Sequence, residues 1–402
     1  MKIGIYGGSF NPPHLGHMAA AESAAKYLQL DKLLLIPAGI PPHKSLSADA
    51  PSGAHRLAMT RLMGEQIALD TAVPIEVSNM ELTRAGKSYT ADTVRALHEQ
   101  YPDAELWLLM GTDMFLTFQY WHDPAEIVRY AGLCAFGRAE TDGEELFAPQ
   151  REYLGRRFPD SRIVTMTLPN LVAISSTALR GRIPKGRTEG LLAPAVLGYI
   201  YRKHLYGTNL DLKRLTLEEL RPIALSYLKP KRISHVLGTE KTAAALAEKY
   251  GADIHKARIA ALLHDSTKRL SMEEQLAMCE HYHIELDELE QKALKLLHAK
   301  TGAALARDVY GVDDDIYNAI LWHTTGKPDM TLLEKVIYLA DFIEPSRDFD
   351  GVDALRAAVW EDLDKGLEMG LAMTVEEMTE MGNPVHRNTL EALDYLRGHT
   401  HE

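Results

Sequence analysis

The sequence predicts an α/β domain built on a doubly wound parallel sheet, followed by an all-α domain. Three observations predict it. Short apolar runs alternate with segments of helical period through the first half, as in a parallel sheet covered by helices on both faces. From about Leu212 onward, apolar residues recur at i, i+3 and i+4 and strand-like runs disappear. The length, 402 residues, exceeds what one ordinary core supports.

Lys2–Tyr6, Lys32–Ile36, Ile75–Val77, Leu106–Met110, Leu133–Phe136 and Arg162–Met166 read as buried strands. Met18–Leu28, His55–Leu69 and Thr90–Gln100 carry the helical period between them. A last helix around Val196–His204 precedes a boundary near Gly207–Asp211, where Asn209 and Asp211 supply breaker and capping chemistry. The domains are therefore read as 1–208 and 209–402. In the second, Thr239–Tyr250, Ile254–Leu263, Leu286–His298 and Leu333–Phe342 read as helices. Ligands of the first domain are expected at the carboxyl ends of its strands.

Composition narrows the class. With 46% hydrophobic and 25% charged residues, both halves can bury full cores. A net charge of −12 argues against non-specific nucleic-acid binding, so any phosphate must be gripped by local groups. Cys134 and Cys279 lie in different halves and build neither a disulfide framework nor a thiolate zinc site, which fits a reducing compartment. The start, MKIGIYGGSF, is too short an apolar run for a signal peptide, and no stretch approaches the roughly 20 apolar residues of a membrane span. The expected location is cytoplasmic, with no membrane or nucleic-acid partner; a homo-oligomer is compatible with the sequence.

Gly7-Gly8-Ser9-Phe10-Asn11-Pro12-Pro13-His14-Leu15-Gly16-His17 ends the first strand and opens a helix. Glycines admit a ligand close to the backbone, and a helix N-terminus favours anions. His14 and His17, three apart, project to one side and make a phosphate clamp. A solvated Gly/Pro turn with two surface histidines is the plain alternative for this motif alone. Ile174-Ser175-Ser176-Thr177-Ala178-Leu179-Arg180 again follows an apolar strand, placing hydroxyls and an Arg at another helix start. The hydroxyls can cap the helix while N–H groups and Arg180 take phosphate oxygens. An ordinary N-cap would explain this segment by itself; the two motifs in one α/β domain point to phosphate binding.

These motifs resemble HxGH and ISSTxxR of the nucleotidyltransferase superfamily, whose fold is Rossmann-like. Within it, residues 1–205 resemble the bacterial nicotinate-nucleotide adenylyltransferases. Pro41-Pro42-His43-Lys44, Ser88-Tyr89-Thr90-Ala91-Asp92-Thr93 and Gly111-Thr112-Asp113 leading to Trp121 add to the match. The resemblance implies transfer of AMP from ATP to nicotinate mononucleotide, giving deamido-NAD and pyrophosphate. It implies that His14, His17, Lys44 and Arg180 neutralise the triphosphate with Mg²⁺ brought by the nucleotide, the acceptor phosphate being ionised already. It places Gly7, Gly8, Ser9, Phe10, Gly111, Asp113, Ile174, Ser175, Ser176 and Thr177 around the nucleotide. Trp121 would stack on the pyridine ring, or be simple core, and Tyr89 and Thr90 would meet its carboxylate.

The helical half carries His235, His264, Asp265, His298, His323 and Asp341, most of them directly after two apolar residues. A lone His so placed is usually a satisfied core residue. Six such groups are expensive unless something compensates, and a metal centre would; N and O ligands suit iron, manganese or zinc. The ordered series resembles the HD-domain phosphohydrolases. Between Lys231 and Arg347, with His-Asp-Ser-Thr-Lys and Trp-His-Thr-Thr-Gly, it resembles the family that splits diadenosine tetraphosphate symmetrically into two ADP. The resemblance implies His235, His264, Asp265 and Asp341 on one metal, with His298 and His323 completing a second, the pair being iron or manganese. Such a pair would acidify a bridging water and clamp the attacked phosphate. Lys268, three after Asp265, is read either as a phosphate contact or as a surface Lys. His281, His283, His386, His399 and His401 lack the apolar-helix context and are read as solvated.

The leading reading is a bifunctional enzyme acting on ATP, nicotinate mononucleotide and a dinucleoside polyphosphate. Two alternatives stay open. The helical domain is a metal- or nucleotide-sensing regulator without turnover, or the transferase uses another acceptor, such as phosphopantetheine or a cytidylyl acceptor.

Overall fold

Six parallel strands organise the N-terminal half, in the spatial order β3-β2-β1-β4-β5-β6. They are β1 (Lys2–Gly8), β2 (Lys32–Pro37), β3 (Ile75–Val77), β4 (Glu105–Gly111), β5 (Ala131–Phe136) and β6 (Ile163–Met166). The computed structural model describes residues 1–399 apart from 43–45, 47–49, 138, 140 and 169–173. His43 and Lys44, singled out above, lie outside the described residues. The chain separates into two compact units, Met1–Asn209 and Leu210–Glu402.

Side chains that alternate along these strands make two cores. Ile3, Ile5, Leu34, Ile36, Leu106, Leu108 and Met110 pack on one face of the sheet, and Leu33, Leu35, Trp107 and Leu109 on the other. A sheet buried on both faces needs apolar residues at successive positions, which is why β2, β4 and β5 read as continuous runs, whereas the edge strand β3 exposes Glu76. The covering helices are α1 (Leu15–Leu28), α2 (Gly53–Thr71), α3 (Thr90–Gln100), α4 (Thr112–Leu116), α5 (Pro124–Tyr130), α6 (Glu144–Arg157), α7 (Ser176–Arg180) and α8 (Pro194–Arg202). Strand β1 pairs with β2 on one side and β4 on the other. The chain winds outward in both directions from that pair, so the loops after β1 and β4 part and leave a crevice at the switch point.

The second unit is helical throughout its described residues. Its helices are α9 (Leu217–Leu225), α10 (Ile233–Tyr250), α11 (Ile254–Leu263), α12 (Met272–His281), α13 (Leu294–Tyr310), α14 (Asp314–Trp322), α15 (Leu332–Ile343), α16 (Val352–Glu361), α17 (Leu363–Glu380) and α18 (Arg387–His399). Thr216, Ser271 and Thr331 form capping boxes with Glu219, Glu274 and Glu334, fixing the starts of α9, α12 and α15. Each is worth about 1 kcal/mol. Helix α10 packs on α11 and α15, burying Val236, Leu246, Leu263, Val336 and Leu339.

Two details differ from the sequence reading. The expected helix Leu286–His298 begins only at Leu294, because Asp287 and Glu290 exchange backbone-to-carboxylate bonds of 3.0 and 2.8 Å in a separate turn. Asp211 caps no helix; its carboxylate accepts from Lys213 N at 3.0 Å, and Thr216 starts α9. Among the described residues no helix is long and apolar enough to cross a membrane.

Candidate functional site

In the first unit the loop after β1 and the start of α7 are stitched together at the switch point. Arg180 donates NH1 to the Asn11 carbonyl at 2.9 Å, and Ser176 Oγ donates to the Pro12 carbonyl at 3.1 Å. Arg56, buried on α2, donates to the Ser9 carbonyl at 2.9 Å, and Tyr206 OH donates to Asn11 Oδ1 at 2.9 Å. Phe10, fully buried, takes a left-handed backbone (φ 44°) that a non-glycine residue holds only when its surroundings over-determine it. Arg56 and Tyr206 were not singled out from the sequence, because each acts on a loop far from it in the chain.

His14 is the N-cap of α1, and His17 follows on its first turn. Their rings lie 3.7 Å apart between centroids. His17 Nδ1 accepts the backbone N–H of His14 at 3.2 Å, so the neutral ring carries its proton on Nε2 and can donate outward. Both histidines line a cavity of about 400 Å³, together with Gly7, Gly8, Ser9 and Arg180. A Cβ built on Gly7 would meet no atom within 4 Å; the space beside it is open to a ligand.

Ile174, Ser175, Ser176, Thr90, Gly111, Asp113 and Trp121 line the same cavity. Ser175 Oγ accepts from Ala178 N at 3.1 Å and caps α7, while Thr177 Oγ1 accepts from Arg180 NH2 at 3.2 Å. Trp121 is half-buried, tilted against Phe118 at 5.4 Å, so one part of the ring is packed and another faces the cavity. Tyr89, the N-cap of α3, packs its ring against His122 at 4.2 Å.

Glu81 also lines this cavity and was missed in the sequence. It is 7% exposed and accepts from Thr93 Oγ1 at 2.7 Å. Burial pushes its carboxyl up to about 7, against the pull of the Thr93 hydroxyl and the Arg84 charge.

In the second unit the six singled-out residues converge from five helices or their ends. His235 lies on the first turn of α10, His298 on α13 and Asp341 on α15. His264 and His323 are not in helix interiors: they are the C-caps of α11 and α14, with Asp265 following His264. That position has a physical use. Each ring donates Nδ1–H to the carbonyl three residues back, Ala261 or Ile320, at 2.6 Å, satisfying an end-of-helix acceptor and turning Nε2 inward.

Asp265 uses both oxygens. Oδ1 lies 3.3 Å from His298 Nε2 and 3.3 Å from Lys268 Nζ; Oδ2 lies 3.5 Å from His264 Nε2 and touches Arg232. Asp341 Oδ1 lies 2.9 Å from His235 Nε2 and 2.7 Å from Arg347 NH2. His298 and His323 bring their Nε2 atoms to 3.1 Å. Two triads, His235–His264–Asp341 and His264–Asp265–His323, each present ligand atoms mutually within 4.8 Å. Arg232 and Arg347 escaped the sequence reading, although Arg232 precedes His235 by three residues in helical register.

The protonation states suit a divalent metal. Burial lowers His264, His298 and His323, leaving neutral imidazoles. Burial alone would raise Asp265 and Asp341, but His264, the His298 hydrogen bond and Lys268 at Asp265, and the His235 hydrogen bond, His264 and Arg347 at Asp341, hold both carboxyls well below the usual range. His235 Nδ1 is bonded to the Glu344 carboxylate at 2.9 Å, and its Nε2 lies 2.9 Å from the Asp341 carboxylate. The buried Nε2 of His264, which both triads share, has no hydrogen-bond partner. An unpartnered acceptor set among carboxylates fits a cation there.

His386, read above as solvated, is 7% exposed. Its Nε2 faces Asp287 and Glu290 at 3.3 and 3.5 Å, while Nδ1 accepts from Asn388 N at 3.2 Å. The proton therefore sits on Nε2, and Lys300 Nζ holds Glu290 at 2.6 Å, so this group reads as an ion-pair cluster that ties α18 to the turn before α13. A short sequence context could not show that pairing, which spans about a hundred residues.

The two sites define a nucleotidyltransferase joined to an HD-type metallohydrolase. Residues 5–182 match the Cytidylyltransferase-like family and residues 232–345 the HD domain family. A "Probable nicotinate-nucleotide adenylyltransferase" of Gemmatimonas aurantiaca is 38% identical over 51% of this chain and 92% of its own length. A "Bis(5'-nucleosyl)-tetraphosphatase, symmetrical" of Bacillus subtilis is 39% identical over 44% of this chain and 96% of its own length. A solved "predicted HD superfamily hydrolase involved in NAD metabolism" from Clostridium acetobutylicum is 42% identical, covers 46% of this chain and 98% of its own, and has a TM-score of 0.45. The chain is an enzyme that belongs to the nicotinate-nucleotide adenylyltransferase family in its first part and to the symmetrical bis(5'-nucleosyl)-tetraphosphatase family in its HD domain.

Proposed function

We propose that residues 1–208 transfer AMP from ATP to nicotinate mononucleotide, and that residues 209–402 hydrolyse diadenosine tetraphosphate symmetrically to two ADP. The observation that carries the first activity is the pinning of the HxGH loop to the ISSTALR helix start through Arg180 and Ser176. It holds His14, His17 and Arg180 on one side of the cavity before any ligand arrives, which is the preorganisation that phosphoryl transfer needs. An ionised phosphate oxygen of nicotinate mononucleotide attacks the α-phosphorus of ATP; the bond to the β-phosphate oxygen breaks, and pyrophosphate leaves with the electron pair. His17 Nε2–H, His14, Arg180 and Lys44 offset the charge that grows on the leaving phosphates. Mg²⁺ carried by the nucleotide would add positive charge at the same phosphates. Gly7, Gly8, Ser9, Gly111, Asp113, Ile174, Ser175 and Ser176 enclose the nucleotide, and Phe10 and Thr177 support that wall from behind. Trp121 offers a face to the pyridine ring, and Tyr89 with the N-terminus of α3 at Thr90 meets its carboxylate.

For the second activity, the two triads that share His264 support a pair of divalent ions, iron or manganese, held by His235, His264, Asp265, His298, His323 and Asp341. Such ions would make a water nucleophilic at neutral pH and polarise the phosphate. Water adds to one of the two central phosphorus atoms, the central P–O–P bond breaks, and one ADP departs as the other forms, a proton going to solvent. Lys268 keeps its ammonium at Asp265 and faces the phosphate chain.

The test assays the purified full chain with ATP and either nicotinate mononucleotide, nicotinamide mononucleotide or phosphopantetheine, following pyrophosphate. It then assays diadenosine tetraphosphate with Mn²⁺ or Fe²⁺, following ADP. Pyrophosphate release greatest with nicotinate mononucleotide, and ADP release that needs metal, are expected. Release with phosphopantetheine alone refutes the first assignment, and metal uptake without ADP release refutes the second.

A further inference from the structure

His235 is gripped from both sides by one short stretch of chain. Asp341, on the last turns of α15, meets its Nε2 at 2.9 Å, and Glu344, three residues on, meets its Nδ1 at 2.9 Å. Glu344 is 0% exposed and is itself immobilised. Ser346 donates from its backbone N at 2.7 Å to Oε2 and from its hydroxyl at 2.5 Å to Oε1. Arg356 clasps the same turn, donating to the carbonyls of Ile343, Glu344 and Arg347 at 3.1, 3.1 and 2.9 Å. The carboxylate thus has little freedom to move.

Gly238 sits one turn after His235 on α10, on the same face. Its backbone is not in the left-handed region, so no φ requirement explains a glycine mid-helix, where Ala is the better helix former. Space explains it. A Cβ at Gly238 would fall inside contact distance of Glu344 Oε2, 3.3 Å from its Cδ and 3.5 Å from its Cβ. All three of the nearest neighbours belong to Glu344.

We propose that Glu344 is a positioning residue that aims His235, and that the bare Cα of Gly238 is the space in which it does so. The inference rests on the metal reading above and adds the device that orients one ligand. A carboxylate accepting from the far ring nitrogen fixes the tautomer and the ring plane of a ligating His, and losing it typically weakens metal binding about 10–100-fold. An amide in its place would turn an N–H onto a position where His235 or Ser346 already donates.

The experiment uses the full chain loaded with Co²⁺, following its visible d–d absorption and binding by equilibrium dialysis, for wild type, Gly238→Ala and Glu344→Gln. Helical circular dichroism and the unfolding midpoint are read without metal. Both variants should bind Co²⁺ about 10–100-fold more weakly with an altered spectrum, while Gly238→Ala keeps its helix content. If Gly238 were only a helix glycine, Ala would raise the midpoint and leave the spectrum unchanged; that result in both variants overturns the inference. Glu344→Gln, which preserves volume, decides the matter should Gly238→Ala fold poorly. A wild-type chain that takes up no Co²⁺ removes the metal reading itself, and the inference falls with it.

Discussion

Arg180 reaches across 169 residues of sequence to donate its NH1 to the Asn11 carbonyl at 2.9 Å. Its second nitrogen holds Thr177 Oγ1 at 3.2 Å, so the planar fork uses two directions at once. An ammonium cannot reproduce that fork. Arg180→Lys, which keeps the charge, should therefore lower kcat for adenylyl transfer by about 10-fold or more. Steady-state kinetics with ATP and nicotinate mononucleotide check this, and wild-type kcat in the variant would show that charge alone suffices.

His17 presents Nε2–H to the cavity because Nδ1 already accepts from His14 N at 3.2 Å. His17→Ala should cost about 10²-fold in rate, the loss of one preorganised donor. The fold should survive, since the ring is not fully buried. Unchanged turnover in a correctly folded His17→Ala removes the assignment.

Glu81 gives a signed pH dependence. Its carboxyl is raised from an ordinary 4.5 to about 7, chiefly by burial. Between those values the native protein holds a proton that the unfolded chain has released. Stability from this group is thus present below about 4.5 and is lost as pH rises through about 7. The loss is about 1–3 kcal/mol across that window. Glu81→Gln, which can still accept from Thr93, should flatten the pH dependence of unfolding between pH about 5 and 8. An identical slope in both proteins would contradict it.

Asp265 meets His298 with one oxygen and His264 with the other, whereas His323 belongs to one of the two candidate metal triads. Asp265→Ala should lose metal and hydrolysis together and leave adenylyl transfer intact. His323→Ala should leave partial metal occupancy. Because metal binds the folded state, Mn²⁺ at 100 times its Kd should raise wild-type stability by about 2.7 kcal/mol and leave Asp265→Ala unmoved. Metal analysis and thermal unfolding with and without Mn²⁺ decide this.

The chain divides at Asn209, and each unit has its own buried apolar residues. A fragment of residues 1–209 should fold and retain adenylyl transfer. An inactive or insoluble fragment means that the first unit depends on the second.

The central strands were legible because a parallel strand buried on both faces must be apolar at successive positions, as in Leu33–Ile36 and Leu106–Met110. Ile75–Val77, read as buried, is an edge strand with Glu76 exposed and paired with Lys32. The phosphate-binding loops were legible because glycines, hydroxyls and paired histidines after a strand have few other uses. Helical packing leaves a weaker trace. His264 and His323 read as helix-interior residues because the apolar period runs straight into them, yet each caps its helix through a carbonyl three residues back. Glu81, Glu344 and His386 left little trace, since each acts through contacts with a separate segment that no periodicity records. Ordinary burial hid Glu81 and Glu344 further: charged residues are usually exposed, and only the fold shows these two inside.

A chain that both makes one dinucleotide and splits another at its centre should give two equal halves from the second. The symmetric split is tested most directly by ³¹P NMR of the full chain with diadenosine tetraphosphate and Mn²⁺. ADP resonances should be the sole products, appearing only with metal and absent in Asp265→Ala. ATP and AMP resonances in equal amounts, or an unchanged substrate spectrum from metal-loaded protein, would contradict it.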